Sequence, residues 1–174
     1  MRVPQRGDGR LVAVRGTTPA PGVGRVLRVR VEVEGGVDVR PADFAAQVLR
    51  TLNDDRSWGH GSTRSFARTS GAADVVVILA SPATSARLCR PLVTRGRLSC
   101  SIGQRAILTA YRWARGTPEF DSLEQYRRYV VNHEVGHVLG HGHKYCAGRG
   151  RSAPVMQQQT KQVAPCRPNP WPFP

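Results

Sequence analysis

Apolar and polar residues alternate from Val26 to Glu34, with Val29, Val31 and Val33 on one side and Arg28, Arg30, Glu32 and Glu34 on the other. A period of two predicts a half-buried strand, ended by Gly35 and Gly36. Over Ala42–Asn53 the period changes. Phe44, Val48, Leu49 and Leu52 recur at helical spacing and predict an amphipathic helix. Arg64–Thr69, with Phe66 inside, is a weaker strand pattern. Val75–Ala80 is apolar throughout, short and β-branched, as a central strand covered on both faces would be. Ala106–Trp113 reads as one further strand. From Ser122 to Leu139 the helical period returns in Leu123, Tyr126, Val130 and Val138. Ser122 and Gln125 make a capping box at its start, and Gly140 and Gly142 stop it.

The flanks carry no such period. Residues 1–24 are rich in Gly, Pro and Arg and read as a flexible lead-in. The chain after Gly140 is irregular and Pro-rich. No internal repeat is present. The order of elements predicts a single mixed α/β (α+β) domain over residues 25–174. It has a small twisted sheet, two main helices and a loop-rich C-terminal part.

The length of 174 residues is enough for one ordinary core. A hydrophobic fraction of 40% with 22% charged residues excludes a disordered polyelectrolyte and a collagen-like repeat. The longest apolar run falls far short of the ~20 residues that span a bilayer, so no transmembrane segment is expected. Met1–Gly24 contains no apolar core of a signal peptide. The net charge is +14, carried almost wholly by arginine, since Lys144 and Lys161 are the only lysines. Such a charge suits an anionic neighbour, for which a cell-wall polymer is a candidate. The arginines are scattered rather than clustered, so nucleic acid is not the expected partner.

Cys89, Cys100, Cys146 and Cys166 form no C-x-x-C pair, which argues against a zinc ribbon or a thioredoxin-like site. An even number at wide spacing predicts two disulfides and an extracellular or cell-envelope location. Four cysteines allow three pairings. The nearest-neighbour one, Cys89–Cys100 with Cys146–Cys166, is the expectation.

The sharpest chemical signal is the run His133-Glu134-Val135-Gly136-His137-Val138-Leu139-Gly140-His141-Gly142-His143. His133 and His137 are four apart, so they share one helix face about 6 Å apart along the axis and can converge on one metal ion. Glu134 lies about 100° around the helix, placed to reach a metal-bound water without ligating. In a continuous helix His143 would lie about 15 Å beyond His133, out of reach of the same ion. The helix must therefore break between the second and third histidines, and Gly140 stands where a left-handed cap is needed. Three imidazoles leave a fourth position for water. Zn²⁺ lowers that water's pKa towards 7, and Glu134 serves as general base. A closed structural site is the rival reading, with His141 or Cys146 as fourth ligand. His60 reads as an ordinary loop residue.

The pattern H-E-x-x-H-x-x-G-x-x-H resembles the signature of the metzincin zinc peptidases. That resemblance implies a metzincin-like zincin fold, with His133, His137 and His143 as Zn²⁺ ligands and Glu134 as catalytic base. Met156, in Pro154-Val155-Met156-Gln157, matches the methionine turn beneath the metal. Gln158 stands where several metzincins carry a tyrosine, so tyrosine assistance to an oxyanion is not implied. The chain from about residue 20 onwards is also similar to a family of metzincin-like proteins of high-GC Gram-positive bacteria, of inferred activity, mostly predicted to be exported or membrane-anchored. The residues that carry this likeness are Tyr129–Asn132, Ala153–Thr160, Pro168–Pro172, the Val29–Glu34 strand and the Leu88-Cys89 and Ser99-Cys100 pairs. In metzincins an edge strand above the cleft pairs with substrate. By chain order Ala106–Trp113 is the expected edge, with Thr109 or Ala110 at the rim. The function implied is a zinc-dependent endopeptidase acting on a peptide or protein. The alternatives are a non-catalytic zinc-stabilised envelope-binding module and a peptidase of peptidoglycan cross-links.

Overall fold

The computed structural model describes residues 1–174. Its centre is a six-stranded mixed sheet formed by β1 (Leu11–Ala13), β2 (Arg25–Glu34), β3 (Arg64–Thr69), β4 (Val75–Ala80), β5 (Cys100–Ile102) and β6 (Arg105–Thr109). The order is β1-β2-β4-β6-β5, and β3 pairs with the first part of β2 along the edge that β1 continues. β2, β3, β4 and β6 run parallel, while β1 and β5 are antiparallel to their neighbours. The four helices are α1 (Pro41–Leu52), α2 (Pro82–Leu88), α3 (Ala110–Arg115) and α4 (Leu123–Val138).

β4 shows why its sequence lacks alternation. Val75, Val77 and Leu79 enter the main core with α1 and α4, while Val76, Ile78 and Ala80 enter a second cluster with Cys89, Cys100 and Ile107. Both faces are covered, so neither can be polar. The main cluster holds 27 buried residues, including Phe44, Phe66, Trp113, Tyr126 and Tyr129. Phe44 meets Trp113 edge-on with ring centroids 4.8 Å apart. α4 starts behind Ser122, whose hydroxyl accepts the Gln125 N–H at 3.2 Å; this is the N-cap half of the expected box, and the Gln125 side chain makes no return bond to the Ser122 N–H. No helix is long and apolar enough to cross a membrane.

Three expectations need correcting. Within the stretch read as a flexible lead-in, Leu11–Ala13 pairs with Glu32–Glu34 as β1. Three residues are too few to display a period, and Arg68 ties the following turn down by donating to the carbonyls of Val14 and Arg15. Secondly, Ala106–Trp113 is not one strand. β6 ends at Thr109, and α3 then carries Tyr111 and Trp113. β6 is also interior, with β5 outside it, so the free edge belongs to β5. Thr109 and Ala110 are buried and do not form the rim, Thr109 donating its hydroxyl to the Gly96 carbonyl at 2.7 Å. Thirdly, Glu34 is buried despite its polar position in the alternation. Its carboxylate accepts from the Ser81 N–H and the Thr84 hydroxyl, both at 2.7 Å, at the start of α2.

Residues 140–174 contain no helix or strand. The disulfides are Cys89–Cys100 and Cys146–Cys166, as the nearest-neighbour pairing predicts. They suggest an oxidising, extracellular environment.

Candidate metal centre

α4 carries His133, Glu134 and His137 on its last two turns, and the chain reverses directly after it. Gly140 has φ 92°, a left-handed conformation. The Gly140 N–H bonds the His137 carbonyl at 3.0 Å, and the His141 N–H bonds the Gly136 carbonyl at 2.9 Å. This pair of bonds is the Schellman cap, which satisfies the last carbonyls of the helix while turning the chain back. The turn brings His143 to the other two imidazoles. One ring nitrogen from each of His133, His137 and His143 lies within 4.8 Å of the others.

The tautomers follow from the hydrogen bonds. His133 Nδ1 is 2.9 Å from the Val155 carbonyl and His137 Nδ1 is 2.8 Å from the His141 carbonyl. A carbonyl oxygen only accepts, so both Nδ1 atoms carry the proton and both Nε2 atoms offer a lone pair to the cluster. His137 Nε2 and His143 Nε2 are 3.1 Å apart. Tetrahedral ligation at about 2.0–2.1 Å separates ligand nitrogens by about 3.3 Å; the His137–His143 pair stands near that spacing, and the three donors together could hold a metal ion. Burial, together with the neighbouring imidazoles, pushes His133 down to about 3, so it stays neutral as a ligand must. His137 and His143 are lowered as well, chiefly by burial.

Neither candidate for a fourth protein ligand is available. Cys146 is committed to its disulfide. The His141 ring stacks on Trp58 at 4.3 Å between centroids and lies outside the group of three. Glu134 is 5% exposed beside the donors, and burial pushes its carboxyl up to about 8. None of the ion pairs in the molecule involves it.

The turn at Pro154–Gln157, closed by the Gln157 N–H on the Pro154 carbonyl at 2.9 Å, supports the cluster from below. Its Val155 carbonyl holds the first histidine, and its Met156 carbonyl accepts the Lys144 N–H at 3.1 Å, fixing the chain just after the third. Tyr129 reinforces it, donating to the Gln157 carbonyl at 3.0 Å and accepting from the Gln159 N–H at 2.8 Å. Met156 itself is buried against α4. A Cβ on Gly136 would stand 2.5 Å from Met156 Sδ and 2.6 Å from Trp58, so that position needs glycine. A glycine inside a helix costs about 1 kcal/mol against alanine, and this cost was the available signal that something packs there.

A cavity of about 460 Å³ opens in front of the histidines. His133, Glu134, His137 and His143 form one side, and β5 with the Leu92–Ser99 loop forms the other. Leu92 and Val93 stand exposed at its lip, 51% and 82% accessible. The sequence did not point to this wall, because three strand residues behind a disulfide loop carry no period. Gln158 lines the cavity with Lys161, whose ammonium donates to Gln158 Oε1 at 3.4 Å. His60, read as a loop residue, opens a single 3-10 turn over His60–Ser62 and stacks on Phe173, outside the group of three histidines. Tyr111 and the three tryptophans pack as structural aromatics, with Arg97 over Tyr111 and Arg56 over Trp171.

The chain matches a family model over residues 1–174, described as a protein of unknown function (DUF3152), and belongs to that family. No curated protein and no solved structure matches it.

Proposed function

We propose that this DUF3152 protein is a zinc-dependent endopeptidase of metzincin-like design, working outside the cytoplasm. One observation carries the reading: three neutral imidazoles converge beside a buried, unpaired carboxyl and face an open cavity. His133, His137 and His143 would hold the ion. When bound, Zn²⁺ supplies a Lewis acid for a peptide carbonyl and makes water acidic enough to attack near neutral pH. Glu134 accepts the proton of the attacking water and returns it to the leaving amine nitrogen. Burial favours the neutral carboxyl, whereas a cation held by the three histidines would favour the ionised form that accepts the first proton, so the base role of Glu134 depends on the metal. The free edge of β5 offers main-chain groups that can align an extended peptide across the cavity.

Purified protein should carry about one equivalent of zinc and cleave quenched peptides, with cleavage abolished by chelator. Glu134→Gln should keep the metal and lose about 10²–10⁴-fold in kcat. Cleavage by Glu134→Gln at the wild-type rate overturns the proposal. The net charge of +14 favours one rival, a non-catalytic metal-stabilised module that holds an anionic wall polymer. That rival gains if metal-loaded protein cleaves neither peptides nor peptidoglycan cross-links, yet binds wall material in a salt-sensitive way.

A further inference from the structure

A second cavity, about 360 Å³, adjoins the metal centre and shares His143, Gln158 and Lys161 with the first. Its walls are the segment that follows the third histidine and the segment that follows the 154–157 turn. Lys144 and Lys161 both line it together with Gln157, Gln158 and Gln162, and the Lys161 ammonium donates to Gln158 Oε1 at 3.4 Å. No carboxylate lines it. These two are the only lysines among 26 Lys and Arg residues, and neither belongs to any of the ion pairs.

The frame around them is fixed. The Lys144 main chain is held by the Met156 carbonyl at 3.1 Å. The Gln157 amide donates to the carbonyls of Gln162 and Val163 at 3.0 and 3.1 Å, closing the turn beneath Lys161. The Cys146–Cys166 disulfide ties the first wall to the rest of the tail. Two exposed ammonium groups at a polar cavity that no carboxylate lines raise the local potential for an anion. An ammonium is a compact charge on a flexible stem, able to follow a carboxylate into a cavity where a planar guanidinium would need a fixed approach. Only Tyr145, Cys146 and Ala164 contribute apolar surface, and Tyr145 is 85% exposed, so the cavity is poorly suited to a large apolar side chain.

We propose that this cavity binds a carboxylate-bearing residue of the substrate, next to the bond to be cleaved, through Lys144 and Lys161. The meaning of that position rests on the peptidase reading, but the binding does not. The test is peptide binding to the zinc-loaded Glu134→Gln full chain, read by fluorescence anisotropy at low salt. Three peptides are compared: one with an internal Glu and an amidated end, the same peptide with Gln, and the Gln peptide with a free C-terminal carboxylate. The Glu peptide should bind about tenfold tighter than the Gln peptide, with the preference shrinking as salt is added. Lys144→Gln/Lys161→Gln should keep its zinc and lose most of that preference. Equal binding of the Glu and Gln peptides, a preference that survives in the double variant, or no binding of any peptide overturns the proposal. A preference confined to the free C-terminus overturns the side-chain assignment and names the chain end as the group bound. Cleavage by wild type is read separately. Hydrolysis without acidic preference sinks only the subsite, and a Glu preference without hydrolysis sinks only the peptidase reading.

Discussion

The two halves that meet at the histidines are held together by different physics. Above them, the sheet and helices, joined by Val155 and Met156 of the tail, bury 27 residues in one cluster. Below them, the tail has a cluster of its own of only three, Ala153, Val163 and Cys166. At about 1.5–3 kcal/mol for a large apolar side chain, these three, even with the buried Val155, Met156 and Trp171, cannot offset the ordering of residues 140–174, whose backbone costs about 1–2 kcal/mol per residue. The tail therefore depends on pairings with direction. Asn169 Nδ2 donates to the carbonyls of Ala153 and Trp171, and its Oδ1 accepts the Trp171 N–H. Gln159 bridges the carbonyls of Pro154 and Asn169 and accepts the Asn169 N–H. The upper half is specified by volume, the lower by donors and acceptors. Two metal donors stand on the first and one on the second.

Removing volume above should cost most. Phe44→Ala should lower unfolding free energy by about 3–5 kcal/mol in urea and leave zinc affinity unchanged, because α4 keeps its other contacts. Equal damage to zinc binding would mean that the two halves are not separate in this sense. The disulfides give the next contrast. Each closes a short loop, with sequence separations of 11 and 20, and each should contribute about 3 kcal/mol. Cys146→Ser/Cys166→Ser should weaken zinc binding and speed amide exchange across the tail. Cys89→Ser/Cys100→Ser should disturb the cavity wall and leave the metal in place. Asn169→Ala strands several buried main-chain groups and should cost about 2–3 kcal/mol, visible first as local exchange in the tail.

The smallest effect lies at the tie between the halves. Arg56 stacks on Trp171 at 4.2 Å and its carbonyl accepts the Phe173 N–H at 3.0 Å. The Arg56 guanidinium, by hydrogen bonding, holds the Asp54 carboxyl below the usual carboxylate range. A depressed folded pKa contributes stability that is present above the ordinary carboxylate value and is lost as pH falls through the folded one. Asp54→Asn should flatten that acid-side loss by less than about 1 kcal/mol, as expected for a partly exposed pair. Stability curves of both proteins from neutral pH down to pH ~3 test it.

What the sequence discloses follows the same division. α4, its Ser122 cap and its break at Gly140 are legible because helical spacing and ligand reach impose each other. β2 and β4 are legible from alternation and from its absence. β5 and β1 are not, because three residues show no period. Ala106–Trp113 reads as one strand because apolar residues continue past Thr109, although from Ala110 the chain is helical. The tail is the least legible part. A glutamine reaching a carbonyl ten residues away leaves no periodic trace, so the roles of Gln157, Gln159 and Asn169 appear only in three dimensions. Met156 stands out in the sequence by its distance from His143, but its fit against Gly136 does not.

One turn grips the first histidine with one carbonyl and, with the next, the strand of chain just past the third. Those two nitrogens consequently share a single anchor and cannot drift apart independently. Disorder arriving from the tail would dismantle the ion's seat in one step rather than ligand by ligand, so the protein should be found either fully charged with metal or empty, with few half-gripped states between.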